Sequence, residues 1–305
     1  MERRTWLGAA ASIALGAGAS MGSGVAVAAP SRRDRSMAVE AVQAPAWRNE
    51  GDERVPLEPG DTVTTREDVE TGEGAAMVLA LPEGSVIRLG EKTHLQVQRF
   101  EATAPAIGET QVRTELKLVD GVFRYTTSAI SKVIGQRQAN LQVRTATIGI
   151  RGTDFWSMTD AVHDAACMFE GSIDLQTRDQ GNFALDKPTA FWARFFDQPV
   201  RPVGTATPDE LAKFLGSTEL KPGRGVAVAG GRWRVVAGTF RAFSEADALA
   251  KRLARLGYAA KPAARKAGVE VRINHFATRA DAQAVLDRLA QSSGVTGGRV
   301  ALSAA

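Results

Sequence analysis

The sequence predicts two joined folds. The first is a mainly β N-terminal domain, a β-sandwich or β-roll. The second is an α+β C-terminal domain with a βαββαβ repeat, an antiparallel sheet and two helices on one face. Three observations predict this. Short strands between turns run from about Val55 to Leu175, which favours a layered or rolled sheet over an α/β enzyme fold. The last quarter repeats itself at an offset of 36 residues, with Val235 falling on Val271, Phe240 on Phe276 and Leu253 on Leu289. Two copies are too few for an open array and close instead into one domain with a pseudo-twofold.

The chain begins with an export-like segment. Arg3 and Arg4 precede a small, apolar stretch from Trp6 to Ala28, and Ala26-Val-Ala28 reads as a cleavage motif. Residues 1–28 are expected to be a signal peptide cut after Ala28. Arg3-Arg-Thr-Trp-Leu7 fits a twin-arginine signal in part, and the Sec route stays open beside it. A membrane anchor is the alternative, but glycines and serines dilute the hydropathy and no stop-transfer pattern follows. The expected location is the periplasm, with no integral membrane segment after cleavage. Residues 29–53 read as a polar, disordered lead-in.

A β domain is expected over 54–178. Leu57-Glu-Pro-Gly-Asp61 and Pro82-Glu-Gly-Ser85 are turns. Met77–Leu81, Val86–Leu89, Thr93–Val97, Glu115–Val119 and Val122–Tyr125 alternate or run apolar over strand lengths. Gly149 and Gly152 interrupt a β-branched run, which predicts a bulge. Arg151 and Asp154 lie close enough in sequence to pair across it; the alternative is that Arg151 binds a ligand. Residues 179–230 read as a linker with a short helix over 207–216, Thr207 at its N-cap and Gly216 at its end. Lys221-Pro-Gly-Arg-Gly225 reads as a flexible hinge.

The repeat domain is expected over 231–303. Ser244 suits the N-cap of its first helix, and Gly257 its end. Strand alternation turns Val235, Ala237, Val271 and Ile273 toward the helices and Arg234, Val236, Glu270, Arg272 and Asn274 away from them. Trp233 should point toward the helices. Residues 229–305 hold thirteen Lys and Arg against five Asp and Glu. A basic module on a slightly acidic body implies an anionic partner. Export and the lack of paired aromatics on the sheet argue against nucleic acid.

No catalytic constellation is present in the sequence. His94, His163 and His275 sit in separate elements without ligand spacing, so no metal or cofactor is expected. Cys167 is the single cysteine and lies in an apolar strand, where a buried thiol behaves as a small hydrophobe.

Two resemblances add to this reading. Val143-Arg-Thr-Ala-Thr-Ile-Gly-Ile-Arg-Gly-Thr-Asp-Phe155, with the turns at 57–61 and 81–85 and the Gly121-Val-Phe-Arg124 strand, resembles the FecR domain family over about residues 55–175. Ala146 replaces a frequent proline, and Asp154 a glutamate. The family's motif positions are Gly149, Arg151, Gly152 and Asp154, read here as structural. The second resemblance joins Val235-Val-Ala-Gly-Thr-Phe240, Ala246–Leu253, Leu256-Gly-Tyr258, Val271-Arg-Ile273 and Ala280–Ala284. Residues 232–302 are similar to the SPOR family of bacterial peptidoglycan-binding domains. That resemblance implies binding of glycan strands, commonly ones lacking peptide stems, on the open sheet face, without catalysis. The glycan-binding positions expected on that face are Arg232, Arg234, Val236, Thr239, Glu270, Arg272 and Asn274, of which only Thr239 keeps the residue type usual in the family. The aromatic platform usual in the family is missing, so binding should be weaker and more salt-sensitive. The combined expectation is a non-catalytic envelope protein that binds peptidoglycan and presents its β domain to an unidentified envelope protein or ligand. The alternative is a scaffold or signalling module whose repeat no longer binds glycan.

Overall fold

The computed structural model describes residues 32–34, 36–51, 53–104, 111–128 and 137–303. The export-like segment lies outside the described residues. In chain order come β1 (Arg32–Asp34), β2 (Ser36–Gln43), β3 (Ala46–Glu50), β4 (Glu53–Pro56), β5 (Thr62–Thr64), β6 (Asp68–Thr71), β7 (Ala76–Ala80) and β8 (Val86–Leu89). Then follow β9 (His94–Ala104), β10 (Gln111–Thr126), β11 (Arg137–Gln142), β12 (Ala146–Thr159), β13 (His163–Thr177), β14 (Gly181–Leu185), β15 (Ala190–Phe195), β16 (Gly204–Thr205) and helix α1 (Pro208–Thr218). The chain ends through β17 (Val226–Val228), β18 (Trp233–Phe240), α2 (Phe243–Arg255), β19 (Lys261–Arg265), β20 (Gly268–Phe276), α3 (Arg279–Ser293) and β21 (Arg299–Leu302).

Strand β10 is the spine of the first fold. Its first half pairs with β9 and, in parallel, with β11; its second half pairs with β8 and β12. A register shift and Gly121 at φ +97° separate the halves. β12 and β13 bend together, with Gly152 at φ +60° and Gly171 at φ +88°. The β12–β13 ladder skips between Arg151 and Asp154, the bulge that the two glycines in the sequence predict. These bends curl the strands around Leu79, Ile87, Leu95, Phe100, Phe123, Tyr125, Phe155 and Trp192, all 0 % exposed. The result is a rolled sheet, mainly β as expected.

Two expectations about the flanks of this domain fail. The lead-in is not unstructured from Ser36 onward: β2 pairs with β5 and β7, and β3 with β4 and β6. Its alternation of Met37, Val39 and Ala41, all buried, is a strand signal inside a stretch whose polar start masks it. Residues 179–220 are not a free linker either. β14 and β15 extend β13. The α1 helix packs Phe214 on Trp156 and Phe191, with ring centroids 4.2 and 5.5 Å apart. Thr207 caps α1 in a reciprocal box with Glu210, as its spacing predicts, but the helix runs past Gly216 to Thr218.

The second fold is a sheet in the order β19–β20–β18–β21, antiparallel throughout. Val235, Ala237, Leu249, Leu253, Val271, Ile273, Val285 and Leu289 form one core between that sheet and the two helices. Trp233 packs against the same core, as alternation predicts. α2 starts two residues earlier than expected, so Ala242 occupies the N-cap and Ser244 lies within the helix. Gly257, at φ +82°, follows it.

The segment read as a flexible hinge is instead tied down. The backbone N–H groups of Gly223, Gly225 and Val226 all donate to Oδ1 of Asp281, at 2.7, 3.1 and 3.0 Å. Asp281 is 0 % exposed. β17 then pairs with β2 of the first fold, and Ala227 stands opposite Phe276 of the second. Around this strand the two folds dock. Trp47 donates to the Ala254 carbonyl at 3.3 Å, and the Ala46 N–H to the Gly257 carbonyl at 3.2 Å. Arg288 donates to the Ala44 carbonyl at 2.8 Å. A Cβ on Gly257 would fall 2.5 Å from Pro45 and 2.6 Å from Trp47, so glycine permits this close approach.

Candidate functional site

The sheet face of the second fold opposite its helices is built by register. Lys261 stands opposite Arg272, Arg272 opposite Val236, and Val236 opposite Arg299. One row across four strands therefore carries three cations around a valine, over about 14 Å at ~4.8 Å per strand. On the same face, on opposite sides of this row, lie Arg234 on β18, opposite Ala301, and Glu270 on β20, opposite Thr239. A register shift between Val236 and Gly238 keeps Thr239 on this face.

Glu270 is the hub. Nε of Arg272 donates to its Oε2 at 2.8 Å, and Arg299 donates to Oε1. Burial works to raise the Glu270 pKa, but the hydrogen bonds from Arg272 and Arg299 outweigh it and hold the carboxyl below its usual range. Arg234 is in the opposite position. Burial and repulsion from Arg272, with further repulsion from Arg265 and Arg299, depress its pKa despite the attraction of Glu270. Its Nε is buried without a hydrogen-bond partner.

The sequence-predicted residues divide accordingly. Arg234, Thr239, Glu270 and Arg272 are brought onto one face, and Asn274 lies half-buried farther along β20. Arg232 is exposed at the start of β18, where its carbonyl accepts from the Ser303 N–H. Val236 faces away from the helices as expected but is 1 % exposed, so it fills the floor rather than touching a ligand. Arg272 is 7 % exposed and committed to Glu270, which makes it a positioning residue more than a free donor. Lys261, Arg265 and Arg299 are missing from the predicted set. Lys261 also pairs with Glu58 of the first fold. The register sets Arg299 opposite Val236, two residues from Arg234, and Arg265 opposite Gly268 at the far end of the same face, and spacing along the chain carries no trace of either.

The motif residues of the first fold are also partly redistributed. The expected Arg151–Asp154 pair does not form. Arg151 pairs with Asp174 on β13. Asp154 receives Arg124 in a two-pronged contact, Nε at 2.9 Å and Nη2 at 2.7 Å. Arg124 also reaches Glu219, just beyond α1, at 2.9 Å. The bulge at Gly152 points Arg151 and Asp154 at different neighbours. Arg151 is exposed on a polar groove of about 460 Å³ that includes Gln138, Asn140, Gly149, Asp174 and Gln176. Asp154 is held by Arg124, and Gly152 takes a positive φ at the bulge.

Cys167 is 0 % exposed, and its pKa is pushed up to about 12 by burial and, secondarily, by Glu210. A protonated, buried thiol is no nucleophile. Among the described residues no group of three or more His, Cys, Asp or Glu side chains could hold a metal ion. Among them, too, no helix is long and apolar enough to cross a membrane.

Comparison with known proteins agrees with both resemblances. Residues 67–191 match the family model "FecR protein", and residues 229–300 match "SPOR domain". No curated protein matches the chain. Two crystal structures of a "putative anti-sigma factor" from Parabacteroides distasonis ATCC 8503, at 2.50 and 1.65 Å resolution, are 12% identical to it. Each covers 78% of this chain, with 98% and 99% of their own chains matched and TM-scores of 0.38 and 0.37. The chain thus carries a FecR domain joined to a C-terminal SPOR domain.

Proposed function

We propose that this is a non-catalytic periplasmic protein that holds to peptidoglycan through the open sheet face of its SPOR domain and presents its FecR domain to a regulatory partner in the envelope. One observation carries the reading: the row Lys261–Arg272–Val236–Arg299 crosses the whole sheet and is flanked by Arg234. A linear polymer laid across the strands passes over such a row and meets its two exposed cations, Lys261 and Arg299. Support for the FecR half is coarser. Its exposed groove at Arg151 is polar and lacks the apolar anchors of a tight protein interface, so it suits a transient partner.

The test uses the intact mature chain. It should co-sediment with purified sacculi at low salt and lose much of that binding as ionic strength rises, because exposed arginines act through screened charge. Failure to sediment with sacculi at any salt concentration overturns the reading. A turnover assay on the same sacculi should release no soluble fragments.

A further inference from the structure

The two glycines that interrupt β12 have different causes. Gly152 takes φ +60° at the bulge, so its conformation accounts for it. Gly149 has no such reason. Its φ lies outside the left-handed region, and a Cβ built there would meet Asp174 at 3.6 Å and Asn140 at 3.7 Å, which are ordinary contact distances. An alanine would fit, and a glycine inside a strand only weakens it. Ile148 and Ile150 on either side are buried in the core, so the gap that Gly149 leaves is on the outer face of the sheet. A strand glycine without a conformational or packing cause marks close approach by another group.

The cross-strand neighbours define what that group meets. Asn140 on β11 and Asp174 on β13 stand opposite Gly149 from either side, a span of about 10 Å at ~4.8 Å per strand. Gln138 and Gln176 are exposed in the same groove, and Gln138 joins it to a second groove of about 300 Å³ over β9 and β10. Every cation that lines the two grooves is already paired: Arg99 with Glu101 at 3.2 Å, Arg113 with Glu115 at 3.0 Å, and Arg151 with Asp174. A polyanion finds no uncommitted charge there, and a protein finds no exposed apolar anchor. A hydroxyl group is matched instead, because it both donates and accepts, as a carboxamide does.

We propose that this groove of the FecR domain binds an uncharged saccharide, with one sugar ring seated over Gly149 between Asn140 and Asp174. The inference rests on the reading of the groove as the contact surface of the FecR domain and names what it meets; it does not depend on wall binding. The carboxamides of Asn140 and Gln176 pair with ring hydroxyl groups in both senses, and Asp174 accepts from another. Arg151 is tied to Asp174 through Nε, but its side chain is 72 % exposed and keeps further N–H groups for the ligand. The bare backbone at Gly149 is the floor on which the C–H face of the ring lies.

The experiment applies ligand-observed NMR to the intact mature chain with three uncharged probes, maltohexaose, cellohexaose and chitohexaose, and one acidic probe, oligogalacturonate. At least one uncharged probe should bind, oligogalacturonate should not, and rising ionic strength should leave the binding unchanged. Gly149→Val fills the gap with a good strand former, so it should keep or raise the melting temperature. The same variant should weaken saccharide binding about ten-fold or more, and Asn140→Ala, which leaves the gap open, should weaken it too. Arg234→Ala with Arg299→Ala should bind the saccharide as the native chain does. Gly149→Val should sediment with sacculi as the native chain does. Binding of no uncharged probe, or preference for oligogalacturonate, overturns the saccharide inference and leaves the groove to a protein partner. A Gly149→Val variant that binds the saccharide normally, or that melts several degrees lower, overturns it as well. Loss of saccharide binding in the double arginine variant moves the sugar to the SPOR sheet and also overturns it. Failure of the native chain to sediment with sacculi strikes the wall reading alone.

Discussion

Among the described residues, two arginine–carboxylate clusters differ in how their charges balance. In the FecR domain, Arg124 serves two carboxylates, Asp154 and Glu219, and Arg88 stands 4.0 Å from Glu219. Its pKa is raised, chiefly by the hydrogen bonds to Asp154 and against the effect of burial. Every donor there points at an acceptor, so the cluster ties β10, β12 and the end of α1 together. In the SPOR domain, several guanidinium groups share one carboxylate, and the Arg234 pKa is lowered. The difference teaches how to tell the two uses of the same chemistry apart. A saturated cluster is structural, whereas a cluster short of acceptors waits for one from outside.

The largest expected effect lies on the saturated side. Asp154→Ala leaves Arg124 largely buried without its main partner and should cost about 3–5 kcal/mol in urea unfolding of the intact chain. Wall binding by the fraction that remains folded should be unchanged. A loss below about 1 kcal/mol would mean that the first cluster is no knot. Glu219→Ala removes a half-exposed carboxylate and should cost no more than about 1 kcal/mol.

Next comes the strap at Asp281. Asp281→Ala strands three backbone N–H groups and should cost about 2–4 kcal/mol. It should also open residues 217–231 to limited proteolysis, whereas the native chain is expected to resist cutting there. Rapid cutting of the native chain there would restore the picture of two independently hinged domains. A smaller effect is expected at the bulge: Gly152→Val places a β-branched residue at φ +60° and should cost about 1–3 kcal/mol. An unchanged melting temperature would show that the bend tolerates any residue.

These cases mark how far the sequence is legible. Gly152 could be read because a glycine within a β-branched run has a local cause, and the bulge is there. The pair Gly223–Gly225 looked like a hinge for the same compositional reason. Both do adopt positive φ, but the acceptor that fixes them lies on α3, more than fifty residues away. Glycine marked the conformation and not the mobility. The SPOR sheet and its helices were legible from the repeat, and so was the direction in which Arg234 and Arg272 point. The partners of Arg151 and Asp154 were not, because cross-strand neighbours come from β13 and β10 and leave no spacing signal. Val236 was read as a contact residue from alternation and the resemblance, which give the direction of a side chain and not what surrounds it.

The smallest effect on stability is electrostatic. The folded pKa of Glu270 is depressed, so its contribution is present above the unfolded value near ~4.3 and is lost as pH falls through the folded value. Native protein should therefore lose stability below about pH 4.5 by a margin that Glu270→Gln removes. An identical acid profile for the two proteins would show that Glu270 is not held by its arginines.

The most direct test of the account sets the two clusters against each other in one binding measurement. Arg234→Ala with Arg299→Ala, neither of which is the main partner of a buried carboxylate, should leave the melting temperature of the intact chain within a few degrees of native. The same double variant should release the chain from sacculi at a salt concentration where the native protein sediments, while Glu219→Ala sediments as the native protein does. Retention of full sedimentation by a folded Arg234→Ala, Arg299→Ala variant would contradict the claim that the acceptor-poor arginine face is the wall-binding surface.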